Sequence, residues 1–514
     1  MQFRPLLVIA LGAGLVYSGV ATVALCRDML RGPAAAPMSA ISMGSIATAL
    51  ALLLACGRGV VAMCVSETRL YWHERWAAAW LIGCGLGAFA WFAFMPLYGW
   101  VSPIWLLTVL MVAISAAAGW WSMVDGPRSM VQPRRSTMDH GPWTMDVLLA
   151  VLLSIQIVVL VVVALQTPLG WDGLFNFEVK ARLAFEHTPV GQLPLDYFSD
   201  PSQRQSHPHY PLLVPFAEFW IYTWLGRVDQ SAVKVLFPIF YLSLTGFVAG
   251  AVRRVADRRS GMLAAIALGL LPPLTLIPGA ASGYADVPLA AAVAGAISFA
   301  LVGIGAEKKD AIVLSGVLLA VAVWTKSEGL IFAVAIGLFT LAVGRKGDGN
   351  LFREDQTKKV PVPFSLAVLW WFPVVAALPW IAFQQLYGQG SGDFHSVRPG
   401  LFVENLDRLP TIVLLFAREL FRPGHWALLF PVFFYLLAVM VIRRPTVADG
   451  FLAAVVLGPL TAYALMYVFS AWPDMREHIG TSLSRVLVPL APLALIFIAR
   501  QLRTDSSFEV REWA

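Results

Sequence analysis

Apolar runs near 20 residues long, broken by short polar stretches, recur from one end of this chain to the other. A helix of about 20 apolar residues crosses the hydrocarbon core of a bilayer. On that measure, residues 6–25, 41–55, 76–97 and 104–121 are a first set of spans. A second set follows at 147–165, 233–252, 262–276, 287–304, 311–324, 330–343, 366–383, 426–442, 451–469 and 486–498. The sum is about fourteen crossings. The expected fold class is an all-α polytopic membrane protein, a helical bundle. It divides into an N-terminal four-helix membrane region over 1–125, a polar cytoplasmic linker over 126–144, a larger membrane domain over 145–503 and a cytoplasmic tail over 504–514.

The longest polar interruption runs over 167–210. The apolar segment after it, 211–225, is rich in Pro, Trp and Tyr and contains Glu218. It reads as a helix lying in the interface, so that the first large external loop carries interfacial helices. Charge supports that choice. With the linker inside, the basic stretches at Arg253, Arg254, Arg258 and Arg259, at Lys308 and Lys309, at Arg345 and Lys346, at Arg443 and Arg444, and at Arg500 and Arg503 all fall inside. The external side then receives 167–210, the turns at 279–286, 326–328 and 471–485, and the loop 384–425.

Composition narrows the class. Hydrophobic residues make up 58% and charged residues 13%, about half the charged share of a soluble domain. The formal net charge of +6 is spread over short loops, a topology signal with no nucleic-acid partner implied. Cys26, Cys56, Cys64 and Cys84 lie in or beside apolar segments without metal spacing, so they read as small buried hydrophobes. The run 6–25 lacks a small-x-small cleavage site and reads as a retained helix.

The candidate chemistry gathers on the external side. Asp172 follows Trp171 just beyond a span, where desolvation suits a carboxylate to general-base work; a solvated loop acid or helix cap is the plain alternative. Glu178, Lys180 and Arg182 lie on a short amphipathic helix over 174–186, whose plain reading is a charged, solvated face. His207, His209 and Tyr210 sit among stiffening prolines and suit phosphate or metal contact. Tyr284 and Asp286 close a flexible turn before Pro288, where Asp286 doubles as a helix cap. Lys326 and Glu328 sit between two closely spaced spans and suit a buried pair or a polar cavity. His478 and Arg485 belong to the last external turn, and the planar fork of Arg485 suits a phosphate or a lipid head group. The Gly-rich start of 384–425, with Asp393, His395 and Arg398, suits a mobile lid. The chain has no Walker loop, dinucleotide fingerprint or metalloprotease helix motif.

Taken in order and sidedness, these residues resemble the integral-membrane C-type glycosyltransferases, including lipid A aminoarabinose transferases and protein O-mannosyltransferases. The resemblance rests on Trp171-Asp172, Lys180-Ala181-Arg182, the run from His207 to Leu213, Gly283-Tyr284-Ala285-Asp286-Val287-Pro288, the run from Lys326 to Gly329, and the run from His478 to Arg485. It covers 147–503 and leaves the four N-terminal spans outside. It implies a C-type-like helical bundle in the inner membrane of a bacterium, with its active site on the periplasmic face. It implies inverting transfer of a hexosyl or pentosyl group from a polyprenyl-phosphate sugar, among membrane lipids, to a glycan, lipid or protein acceptor of the cell envelope. Asp172 would be the base. Asp286 would orient the acceptor or help hold a divalent cation, the one cofactor implied. Lys326, Arg485 and His209 would steady the leaving phosphate. Glu178, Lys180, Arg182, His207, Tyr210, Tyr284, Glu328 and His478 would complete substrate binding. The alternatives are a transporter or flippase, which favours polar breaks near mid-membrane, and a lipid-polymer ligase at the same face.

Overall fold

In the computed structural model of the protein, residues 4–31, 39–66, 68–124, 143–306, 308–345, 362–443 and 445–503 are described. Most of the linker expected over 126–144, and the tail expected over 504–514, lie outside the described residues. Among the described residues every regular element is a helix, and the single β contact is an isolated antiparallel bridge between Phe394 and Ser470.

Among the described residues, eight helices are long and apolar enough to cross a membrane: Pro5–Met29, Ala40–Cys64, Trp72–Leu97, Pro103–Trp120, Thr144–Gln166, Gln230–Val255, Asp286–Ile304 and Val447–Val468. A ninth results if Met475–Val486 and Leu490–Leu502, bent by 53° at their junction, count as one broken span. The remaining expected crossings are short or interrupted. Arg258–Gly269 has 12 residues and stops before Leu271-Pro272-Pro273, where proline removes the next backbone donor. Lys309–Thr325 has 17 residues. Leu429–Ile442 has 14, and the chain turns sharply before it at Ala427, where φ is +53°. Val362–Tyr387 is 26 residues long with Pro373 and Pro379 inside it.

One expectation changes. The segment over 211–225 forms a helix, Leu213–Leu225, but Leu213 to Tyr222 are all buried. It packs on Ala40–Cys64, Trp72–Phe94 and Val179–Glu186, and the Trp220 indole donates to the Ala49 carbonyl at 3.0 Å. An interfacial helix keeps one polar face wet; this one is covered by protein all round.

Burial sorts the spans. Asp286–Ala306 is covered along nearly its whole length, whereas Pro5–Met29 and Thr144–Gln166 leave most of theirs exposed. An all-round apolar helix in the middle and apolar outward faces at the rim suit a bundle whose solvent is lipid. Helices Ala40–Cys64 and Trp72–Phe94 cross where two glycines meet backbone. A Cβ on Gly57 would lie 1.8 Å from the Ala79 carbonyl oxygen, and one on Gly83 would lie 1.9 Å from that of Leu53. Only Gly permits this approach. Gly83→Ala is therefore expected to cost about 1–3 kcal/mol, seen as a lower thermal midpoint in detergent. An unchanged midpoint would mean that the helices do not cross this closely.

The ends of the helices separate into two groups. At one end, Asp146 pairs with Arg259 at 2.9 Å, Glu74 pairs with buried Arg254, Asp310 accepts from the Thr68 N–H at 2.7 Å, and Asp449 pairs with Arg500 at 2.7 Å. The helices that begin or finish at these pairs bring Thr167, Lys234, Asp286, Lys326 and Ser470 to the opposite end. There the external residues of the sequence reading collect.

Candidate active site

The first large loop is stapled to the turn before Asp286–Ala306. The Gly170 N–H donates to the Ser282 carbonyl at 2.7 Å. A Cβ on Gly173 would lie 2.9 Å from the Gly283 carbonyl oxygen. Lys234, fully buried, donates to Thr167 Oγ1 at 3.2 Å, to the Pro168 carbonyl at 2.9 Å and to the Ala281 carbonyl. The chain then enters a wide π-type turn over Gly173–Glu178, in which the Val179 N–H reaches back to the Leu174 carbonyl. Such turns re-aim side chains and recur at functional sites. Asp172, at the start of this turn, thereby faces Asp286.

Between them lies a row of alternating charges. Arg485 pairs with Asp172, and its Nε lies 3.5 Å from Asp286 Oδ2. Lys326 Nζ donates to Asp286 Oδ1 at 2.9 Å and lies 2.8 Å from Glu328 Oε1. Three carboxylates and two cations thus share one site. Burial pushes the Lys326 ammonium toward neutrality, but Asp286 and Glu328 outweigh it and hold its pKa well above the usual lysine range. The Tyr284 ring lies 5.1 Å from the Arg485 guanidinium, and the Tyr210 ring 5.8 Å from Lys326 Nζ. Burial raises both phenols. Asp286 Oδ2, Glu328 Oε2 and Arg485 Nε are buried without hydrogen-bond partners. Buried polar atoms are nearly always paired, so these three mark a place where a ligand would complete the bonding.

A second group adjoins the row. Phe177, Tyr210 and His207 form a parallel stack, with ring centroids 5.8 and 4.8 Å apart. His207 holds a left-handed backbone, φ +45° and ψ +62°, a strained choice for a side chain of this size. Lys180, fully buried, donates to the Asn176 carbonyl at 2.6 Å and to the His207 carbonyl at 2.9 Å. Burial lowers its pKa to about 7. Burial likewise lowers both histidines, His209 to about 3. His207 Nδ1 lies 3.4 Å from Asp393 Oδ2, and Trp472 Nε1 donates to Asp393 Oδ1 at 3.0 Å. Trp472 stacks on His478, whose Nδ1 lies 2.8 Å from Ser470 Oγ.

Asp172, Tyr210, Tyr284, Asp286, Lys326, Glu328 and Arg485 therefore meet in one site, with Lys180, His207 and His209 beside it. His478 stands in the adjoining Trp472 cluster. Two residues point elsewhere: Arg182 is exposed and pairs with Glu186 at 3.0 Å, and Glu178 accepts from Tyr222 Oη at 2.7 Å. The solvated face expected for 174–186 shrinks to Arg182 and Glu186, because Glu178 and Lys180 are buried. Burial raises the Glu178 pKa, and that of Glu218 further. A divalent cation does not suit the row, since Asp172 and Asp286 already face Arg485 and Lys326. Among the described residues no group of three or more His, Cys, Asp or Glu could hold a metal.

Asp393 and Lys234 are the residues that sequence reasoning left out of the site. Lys234 stands alone in an apolar run, a sign of an inward-facing role.

The lowered pKa of Lys180 carries a pH dependence. The unfolded chain holds the Lys180 proton up to about 10.4, whereas the folded chain releases it at about 7. Between those values the unfolded state binds more protons, so this group adds stability as pH rises. The thermal midpoint of wild type, measured against Lys180→Met, should climb between pH 6 and pH 10. A constant difference would show that Lys180 stays charged when folded.

No protein-family model matches the chain, and no curated protein matches it.

Proposed function

We propose that this chain is an integral-membrane glycosyltransferase of the C-type kind, with about fourteen crossings in all. It moves a sugar from a polyprenyl-phosphate donor to a glycan, lipid or protein acceptor on the periplasmic face of a bacterial inner membrane. One observation carries the reading. The buried row Asp172, Arg485, Asp286, Lys326 and Glu328 gathers side chains from four separate turns at the end opposite the Arg254 and Arg259 pairs. The positive-inside rule makes the basic end cytoplasmic.

The chemistry needs a base, a sugar and an anionic leaving group. Asp172 takes the proton of the acceptor hydroxyl, whose oxygen bonds to the anomeric carbon. The bond from that carbon to the phosphate oxygen breaks, and its electron pair leaves with the lipid phosphate. The configuration inverts. Arg485 presents a planar donor fork with one buried N–H unused, and a phosphate there would draw it from Asp172. That exchange frees the carboxylate as base at the moment the donor arrives. Lys326, held between Asp286 and Glu328, keeps the row charged and steadies the growing phosphate charge through space.

The test is turnover by purified full chain in proteoliposomes, with a series of labelled polyprenyl-phosphate sugars. The expected result is label on an acceptor and an equal amount of polyprenyl phosphate released. No release from any donor would overturn the proposal.

A further inference from the structure

The loop after helix Val362–Tyr387 lies across the second group of the site. Its sequence, Gly388-Gln389-Gly390-Ser391-Gly392-Asp393, has three glycines in five positions, and Gly390 takes a φ of +71°. Its tip, Gly390 to Gly392, is exposed. It is tethered on both sides. Gln389 Nε2 donates to the Ser199 carbonyl, and Arg204 reaches Gln389 Oε1 at 3.4 Å. Beyond the tip, the Ala471 N–H donates to the Asp393 carbonyl and the His395 N–H to the Phe469 carbonyl, each at 2.8 Å.

Inward, the Asp393 carboxylate meets His207 at 3.4 Å, too long for a hydrogen bond. His207 Nδ1 and His209 Nδ1 are both buried and without hydrogen-bond partners, and the two rings are 5.5 Å apart. Two imidazoles with Lys180 behind them, and in front a carboxylate that Trp472 Nε1 holds by its Oδ1 at 3.0 Å while its Oδ2 stands 3.4 Å from His207, describe a place suited to an anion. A glycine-rich segment with few buried apolar contacts opens at low cost.

We propose that residues 388–393 are a lid closed by Asp393 against His207, and that the phosphate of a lipid substrate opens it by taking the place of the carboxylate beside His207 and His209. The lipid source rests on the donor proposed above; the anion chemistry rests on the imidazoles alone. Closed, the lid covers the polar groups around His207 until a donor arrives, and its opening admits the donor to the site.

The geometry supplies its own reporter. A Cβ on Gly392 would lie 3.9 Å from Arg204 Cβ, within the spacing of a disulfide. In the full chain carrying Arg204→Cys and Gly392→Cys, the rate of disulfide formation under mild oxidant reports the closed lid and is read by peptide mapping. The probes are a polyprenyl phosphate, the matching neutral polyprenol and inorganic phosphate. Polyprenyl phosphate should slow the cross-link about tenfold, the shift given by tenfold preference for the open state. Polyprenol should not slow it. Slowing by inorganic phosphate as well would support the anion site and assign it to free phosphate. Equal slowing by polyprenol, or no slowing by any probe, would overturn the proposal. Asp393→Asn in the same background keeps the loop's backbone bonds and should cross-link more slowly without any probe; an unchanged rate would also count against the lid. The readout needs no sugar transfer, so it stands or falls apart from the glycosyltransferase reading.

Discussion

Lys326→Met lowers the unfolding free energy by about 3–5 kcal/mol, the usual cost of removing one partner from a buried ion pair. The side chains of Lys326 and Asp286 are 2% and 1% exposed, and their contact is 2.9 Å. The ammonium also faces Glu328 at 2.8 Å. Without it, the three carboxylates of the row have Arg485 as their one remaining cation. Hydrophobic burial of the methionine returns little, because the surrounding atoms are polar. The double variant Asp286→Asn with Lys326→Met should recover part of the loss, as coupled neighbours do. Chemical or thermal unfolding in detergent reads both. A loss below about 1 kcal/mol, the value of an exposed pair, would mean that water reaches this row.

Asp172→Asn should reduce kcat by about 10²–10⁴, the share a general base supplies. The amide keeps the shape of the carboxylate, and Arg485 keeps Asp286 as its counter-charge, so the fold should survive with a smaller loss than Lys326→Met causes. KM for the donor should change less than kcat, because the proton moves in the transition state and not on binding. Arg485→Lys should act differently. A point charge replaces a planar fork, and donor KM should rise. If Asp172→Asn turns over at the wild-type rate, the base lies elsewhere.

Much of this protein was legible in its sequence because lipid imposes simple rules. Length and apolarity located the eight strongest spans among the described residues. The same rules fail where protein replaces lipid as the surroundings. Leu213–Leu225 has the composition of an interfacial helix, yet it lies inside the bundle; nothing local separates burial in protein from burial in a head-group layer. Arg258–Gly269 and Leu429–Ile442 are apolar but short, since buried breaks and prolines are permitted once neighbouring helices satisfy the backbone. At the site, sidedness alone grouped Asp172, Asp286, Lys326 and Arg485. Their pairing follows from loop docking through Gly170 and Gly173, a contact 112 residues apart in sequence. The spacing of Glu178 and Lys180 suggested a solvated face. A π-type turn over Gly173–Glu178 shifts the helical phase and turns both inward. Asp393 looked like one of several charges on a loose loop, and only its place over His207 singles it out.

The most direct test separates chemistry from transport. Sealed proteoliposomes of known orientation are given labelled polyprenyl-phosphate sugar in the outer leaflet, with a membrane-impermeant acceptor on the same side as the charged row. The account predicts labelled acceptor and free polyprenyl phosphate on that side, with no label in the lumen. Label that crosses the bilayer with its sugar–phosphate bond intact would contradict it and mark the chain as a transporter.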